Sequence, residues 1–343
     1  MTAGRAPLRL GVLGCGRVFE RFHLPALLAT PSVVPAAAYD PDPARLAWTS
    51  ALDPAPRRCA SPRELLASGS VDAVLVLTPP ATHAELCIQA LESGRHVLVE
   101  KPMALGVDEG ARMAEAARRA GRTLQVGFTR RFREPYQRMR EALRRLDASL
   151  VRAVDFELAF STTAWQAHTD FLGDPSRGGG VVDDVLSHQV DLIGWLFGVP
   201  DEVCAEQSLG TDGPVRAGLR VGSLEVRCEA AHGAYAERLT VELADGRILE
   251  ATGQRMRVTG AGSPGWRRRR ALLLDRAALV RDRLGRRPNA TRVSFERQLA
   301  DFVARASGEP AIGATAEEGV ASLRALAACR ASAREGGRWI SLR

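Results

Sequence analysis

The stretch LRLGVLGCGRVF, residues 8–19, constrains the fold more than any other part of the chain. A mostly apolar run stops at Gly14, Gly16 follows after one residue, and an amphipathic stretch begins at once. A short, nearly continuous apolar run fits a strand covered on both faces. Two glycines at its end fit a tight turn whose backbone amides sit at a helix N-terminus and attract an anion. The pattern repeats to about residue 127, with VPAAAY, DAVLVL, HVLV and TLQVGF as further strands. THAELCIQALESG and DEGARMAEAARRAG read as intervening helices that end in glycine. Strands alternating with helices predict an α/β domain with a doubly wound parallel sheet.

The rhythm changes after residue 150. VRAVDFELAF, EVCAEQSL, GLRVGSLEVRCEA and YAERLTVELADGRILEATG alternate apolar and polar residues, predicting an antiparallel sheet with one covered face. A glycine-opened helix near 180–197 interrupts it, and helices near 292–306 and 316–335 close the chain. A length of 343 residues suffices for two cores. The expected division falls near residue 125: residues 1–125 form a mononucleotide-binding domain and residues 126–343 an α+β domain with an open, mainly antiparallel sheet. The last helices are expected to be able to return to the first domain.

The glycine loop sets the first candidate site. Gly14, Cys15, Gly16, Arg17 and Val18 would carry a dinucleotide's pyrophosphate on their amides. The third glycine of the usual fingerprint is replaced by Phe19, so the helix must pack on the strand differently. Asp40 ends the second strand, where a carboxylate accepts ribose hydroxyls of NAD and repels a 2′-phosphate. Arg45 lies close in sequence and keeps NADP as the alternative. Thr78, Pro79 and His83 follow the DAVLVL strand, at the carboxyl edge where open parallel sheets bind ligands. Thr82 reads as a helix N-cap and His83 as a packing residue. HVLV ends in Glu100-Lys101-Pro102, on the same edge.

Lys101 is the only lysine among 47 lysines and arginines. Arginine stays protonated, whereas lysine exchanges a proton when desolvated, so a single retained lysine at a strand end points to chemistry. The formal charge of +7 comes largely from arginines alternating with acids, as in ARMAEAARRAGR, which is the pattern of solvated helices. Aromatics make up 5% of the chain, too few for a nucleic-acid stacking platform. The Arg-rich segment 265–288 reads as a surface excursion, with a helix docking on an acidic partner as the alternative. No apolar run approaches the ~18 residues of a membrane span. The six cysteines show no disulfide cadence, so a cytoplasmic protein with neither membrane nor nucleic acid as partner is expected. No set of His, Cys, Asp and Glu has metal-ligand spacing.

GVLGCGRVFERFHLPAL, VDAVLVLTPPATHAELCIQALESGRHVLVEKPMAL and QVGFTRRFREPY resemble the Gfo/Idh/MocA oxidoreductases, named after glucose–fructose oxidoreductase and inositol dehydrogenase. The resemblance implies a Rossmann domain, a C-terminal open-sheet domain, and a homo-oligomer, dimer or tetramer, formed through the open sheet. It implies NAD- or NADP-dependent redox chemistry on a sugar or cyclitol, with Lys101 near the nicotinamide. GGGVVDDVLSHQVDLIGWLFG resembles the second signature, with Asp184 and His188 at its positions. On a helix, Asp184, His188, Asp191 and Trp195 share one stripe, opposite Leu186, Val190, Ile193 and Phe197. By resemblance His188 transfers the proton and Asp184 orients it, while Asp191 is structural or touches substrate. Arg130, Trp165 and His168, with Arg131 and Arg177, are further substrate candidates. Thr129 stands where the family often has Asn. Two other functions compete with a dehydrogenase: a redox-neutral enzyme with tightly held NAD, and a nicotinamide-sensing regulator. Retention of Lys101, Asp184 and His188 together counts against the regulator.

Overall fold

In the computed structural model, residues 6–67, 69–161, 177–207, 213–260 and 290–343 are described. Trp165, His168 and the segment 265–288 lie outside the described residues. The chain divides into two compact units. The first holds, among the described residues, 6–129, 177–179 and 295–323; the second holds 130–161, 180–207, 213–260, 290–294 and 324–343.

The first unit is built on a sheet of seven strands: β1 (Leu8–Leu13), β2 (Val33–Tyr39), β3 (Arg57–Arg58), β4 (Ala73–Val76), β5 (His96–Val99), β6 (Leu124–Val126) and β14 (Ala314–Thr315). Their order is β14-β6-β5-β4-β1-β2-β3. All neighbours run parallel except β14, which pairs antiparallel with β6. The two-residue strands β3 and β14 were not foreseen, being too short to leave a periodic signal. Both faces are covered, which explains the unbroken apolar strands. Leu13, Val74, Val76, Val97 and Val99 face a cluster with Ala84, Cys87, Leu91, Met113, Ala116, Val320 and Leu323. Leu10, Val12, Ala73, Leu75 and Leu98 face the opposite cluster with Phe19, Leu24, Leu27, Leu299 and Phe302. Residues 295–323 thus complete both layers of the parallel sheet, although they lie far beyond residue 125. The strand order reverses between β1 and β4, and the crevice at their carboxyl ends is where such sheets bind ligands.

The second unit contains the expected open sheet, ordered β13-β12-β11-β7-β10-β9-β8-β15. Its strands are β7 (Val151–Phe160), β8 (Glu202–Gln207), β9 (Val215–Val221), β10 (Leu224–His232), β11 (Ala236–Leu243), β12 (Ile248–Thr252), β13 (Met256–Thr259) and β15 (Ile340–Ser341). Only β7 and β10 run parallel; every other pair is antiparallel. Val226, Cys228 and Ala230 of β10 are buried, while Arg227 pairs with Asp155 at 2.7 Å and Glu229 with Arg216 at 3.3 Å on the exposed face. One face is therefore core and the other a ladder of charge.

Candidate active site

In the first unit, the loop after β1 is held by backbone and by one carboxylate. Gly14 has φ of +93°, and a Cβ there would lie 2.8 Å from the Leu77 carbonyl carbon and 2.9 Å from the Thr78 nitrogen. Only glycine fits this approach of β1 to the segment after β4. Gly14 N donates to Tyr39 O at 2.9 Å. Asp40 Oδ2 accepts from Cys15 N at 2.7 Å, and Oδ1 accepts from Asp42 N at 2.9 Å. The carboxylate therefore fixes the loop and retains a lone pair on each oxygen for a ribose hydroxyl. Burial, aided by Asp40, pushes the Cys15 thiol up to about 12, and its amide is spent on Asp40 as the Gly14 amide is on Tyr39 O, so these two amides do not face a pyrophosphate as expected. The Arg17 side chain donates to Glu20 at 2.8 Å. Phe19 is buried and opens a π-helical turn, Phe19–His23, that runs into helix α1 (Leu24–Leu28). The wider turn is how the fold accommodates a phenyl ring where the fingerprint has a small residue.

The segments after β4 and β5 are tied together by histidines. His83 is 1% exposed; Nε2 lies 2.7 Å from Thr78 O and Nδ1 lies 2.9 Å from Pro102 O. Burial holds its pKa below the ordinary 6.5 despite these carbonyls. His83 is thus a clamp between two strand ends and not a ligand-facing group. Thr82 makes no side-chain cap; its hydroxyl bonds the Thr78 hydroxyl at 2.7 Å and Pro79 O at 2.9 Å. Glu100 Oε1 lies 2.8 Å from His23 Nε2, and Glu100 Oε2 accepts from Lys101 N at 3.2 Å. His23 itself stands edge-on to Phe295, at 4.9 Å between ring centroids. Gly127 leaves room for this carboxylate, since a Cβ there would sit 3.1 Å from Glu100 Oε2. The backbone that presents Lys101 is thereby braced by Glu100, which follows β5, and through it by His23 of the first helical turn.

In the second unit, a π-helical turn, Val182–Leu186, leads into a helix at Ser187–Phe197. Gln189 Nε2 fastens it to the sheet by donating to Phe156 O at 2.6 Å and Glu229 O at 3.0 Å, carbonyls of the two parallel strands. His188 is 6% exposed, and its ring lies 6.3 Å from that of Phe160. His232, at the end of β10, lies 6.4 Å from the same ring, with Nε2 3.2 Å from Asp184 Oδ2. Asp183 pairs with Arg330 at 2.6 Å. Lower on the helix, Asp191 is clasped by Arg131 through Nε at 3.1 Å to both oxygens and Nη2 at 2.6 Å. Trp195 lies under Arg140, 4.2 Å from the ring centroid.

Residues 8–128 match the model of the Gfo/Idh/MocA oxidoreductase family with an NAD-binding Rossmann fold, and residues 136–261 match the family's C-terminal domain. The chain belongs to the Gfo/Idh/MocA oxidoreductase family. It is 36% identical over 194 residues to a 1-carboxy-3-chloro-3,4-dihydroxycyclohexa-1,5-diene dehydrogenase of Comamonas testosteroni, covering 54% of this chain and 46% of that one. It is 32% identical over 137 residues to scyllo-inositol 2-dehydrogenase (NAD(+)) of Bacillus subtilis (strain 168), covering 40% and 38%. The chain thus spans about half the length, or less, of these curated relatives. The WlbA dehydrogenase of Bordetella pertussis, solved with NADH and UDP-GlcNAcA, shares the fold with a TM-score of 0.79 at 22% identity, covering 98% and 99%.

Seen as a Gfo/Idh/MocA chain, the second-signature stripe divides. Asp184 and His188 stand beside Phe160 and His232, but Asp191 is taken up by the buried Arg131 and Trp195 by the half-buried Arg140 of the same unit. Asp191 therefore does not present itself to a substrate: its side chain is 1% exposed and its charge is already paired. Asp184 pairs with His232, a residue that sequence reasoning missed. Its only signal was one of six histidines ending a period-two run, and its position depends on the β7–β10 register, which places His232 opposite Phe160. Gln189, His23 and Glu237 were missed for the same reason, since each acts on a residue at least 33 positions away. Among the described residues no group of His, Cys, Asp and Glu could hold a metal ion, and no helix is long and apolar enough to cross a membrane.

Proposed function

We propose that this chain is an NAD-dependent dehydrogenase that oxidises a secondary alcohol of a sugar or cyclitol, or reduces the corresponding ketone. The observation that carries the reading is Lys101, the one lysine of the chain, at the carboxyl end of β5 and braced through Glu100. The turn after β1 and Asp40 fit a dinucleotide: the helix-start amides of Gly16, Arg17 and Val18 suit a pyrophosphate and the carboxylate suits the ribose. NAD bound there would supply the hydride acceptor. Asp40 opposes a 2′-phosphate, and Arg45 offsets it little because it is half exposed and faces Asp42 at 3.5 Å. The chain's own residues would handle the proton. His188 takes it from the hydroxyl, a task typically worth ~10²–10⁴ in rate. The Lys101 ammonium polarises the same oxygen and stabilises negative charge on it. Asp184, shared with His232, sets the charge around His188. The relatives' names, a dihydroxycyclohexadiene dehydrogenase and an inositol dehydrogenase, support a cyclic polyol as substrate. A homo-oligomer formed through the exposed sheet face belongs to the same proposal; that face is charged, so its association should weaken with salt.

The test is a panel of sugars and cyclitols offered with NAD and with NADP, read by the absorbance of the reduced nicotinamide. Turnover with NAD, and at least about tenfold lower kcat/KM with NADP, is expected. Equal use of NADP would remove the role given to Asp40.

A further inference from the structure

β10 ends on a residue that departs from its own pattern. Val226, Cys228 and Ala230 are buried on the covered face of the sheet, and the period of two assigns the next position on that face to His232. The parallel register sets Phe160, the last residue of β7, opposite it. His232 keeps 14% of its side chain exposed, and the three residues after it, Gly233, Ala234 and Tyr235, are exposed. Its Nε2 lies 3.2 Å from Asp184 Oδ2. A carboxylate only accepts hydrogen bonds, so the imidazole supplies the hydrogen and donates it to Asp184.

Asp184 stands one helical turn before His188, and the rings of His188 and His232 flank the same Phe160 ring at 6.3 and 6.4 Å. The carboxylate next to the proton acceptor is therefore shared with a second imidazole. The other charged groups packed around them are paired. Asp183 of the same turn meets Arg330, from the helix Ala316–Arg334, at 2.6 Å. Arg130 lies over Phe160, 5.6 Å from the centroid, and its Nε is 3.3 Å from Glu237 Oε1 of β11. Glu237 also accepts from Arg133, from the Tyr136 hydroxyl at 2.8 Å and from the Tyr235 hydroxyl at 2.5 Å. Arg131 holds Asp191 at 2.6 Å. We propose that His232 is a positioning residue for the proton transfer: by donating to Asp184 it divides that carboxylate's negative charge between two imidazoles and keeps His188 less basic than an undivided Asp–His pair would. His188 is then neutral, and ready to take the hydroxyl proton, at a lower pH. The inference rests on the reading of His188 as the proton acceptor.

The test is the pH dependence of kcat/KM for NADH formation from a polyol that the wild type oxidises. Its acid limb reports protonation of the base in the free enzyme. His232→Phe keeps a ring beside Phe160 but removes the donor, so the acid limb should move to higher pH by about half a unit to one unit. In ketone reduction His188 must start protonated, and the same variant should move the alkaline limb up by a similar amount. His232→Gln places an amide N–H near the position of Nε2 and should return both limbs toward the wild type. His232→Leu is the second donor-free variant, should the phenyl ring not be accommodated. A merely structural His232 would lower Tm and leave both limbs in place. The proposal is overturned if the donor-free variants do not move the limbs, or if His232→Gln moves them as far. Wild-type turnover with unmoved limbs in the variants would sink this inference alone. Absence of NADH formation from any polyol would instead sink the dehydrogenase reading.

Discussion

The two units position their functional groups by opposite means. The first uses main chain: Gly14 lets two strand ends approach, Asp40 and Glu100 accept backbone amides, and His83 bridges two carbonyls. The second uses side chains: Asp191 with Arg131, and Glu237 with Arg133, Arg130 and two tyrosines, hold the interior through buried charge. A main-chain site tolerates changes of charge but not of backbone shape. A site resting on buried ion pairs tolerates changes of shape but not the loss of one partner.

This contrast can be broken experimentally. The largest effect is expected from Glu237→Gln, which leaves two buried guanidiniums facing an amide; unfolding in urea should show a loss of about 3–5 kcal/mol. A loss below ~1 kcal/mol would mean that the cluster is solvated. Next comes Gly14→Ala, where a positive φ and a close backbone contact combine. A cost of about 1–3 kcal/mol is expected, together with loss of NAD affinity measured by calorimetry. Retained affinity would refute the claim that glycine alone fits there.

The pH dependence sharpens the comparison. Burial alone would raise Glu237, but Arg133 and Arg130 outweigh it and bring its pKa from 4.5 down to about 2. The unfolded chain then binds this proton first, so the contribution is complete above pH 4.5 and is lost as pH falls through about 2. Glu237→Gln should flatten that part of the stability curve, and an unchanged slope would contradict the pairing. The smallest effect belongs to Arg118→Ala, which breaks an exposed pair with Glu115 and should leave Tm unchanged.

How far each unit could be read from the sequence follows the same division. Strand alternation, Gly14-x-Gly16, Asp40 and the lysine after HVLV are local signals, and each stands where the pattern put it. The return of residues 295–323 to the parallel sheet left no local trace, because their apolar positions suit either unit. In the second unit the Asp184–His188 spacing was legible. The fate of Asp191 and Trp195 was not, because helical periodicity locates a face without saying whether an arginine 60 positions earlier will cover it. His232 and Glu237 depend on strand register, and the alternation of β10 and β11 shows only which side each residue takes.

One measurement bears most directly on the division of labour between cofactor holding and proton transfer. A single turnover of His188→Ala, saturated with NAD and a polyol that the wild type oxidises, should form NADH about 10²–10⁴ more slowly, with NAD affinity unchanged. NADH formation at the wild-type rate would show that His188 carries no proton in the reaction.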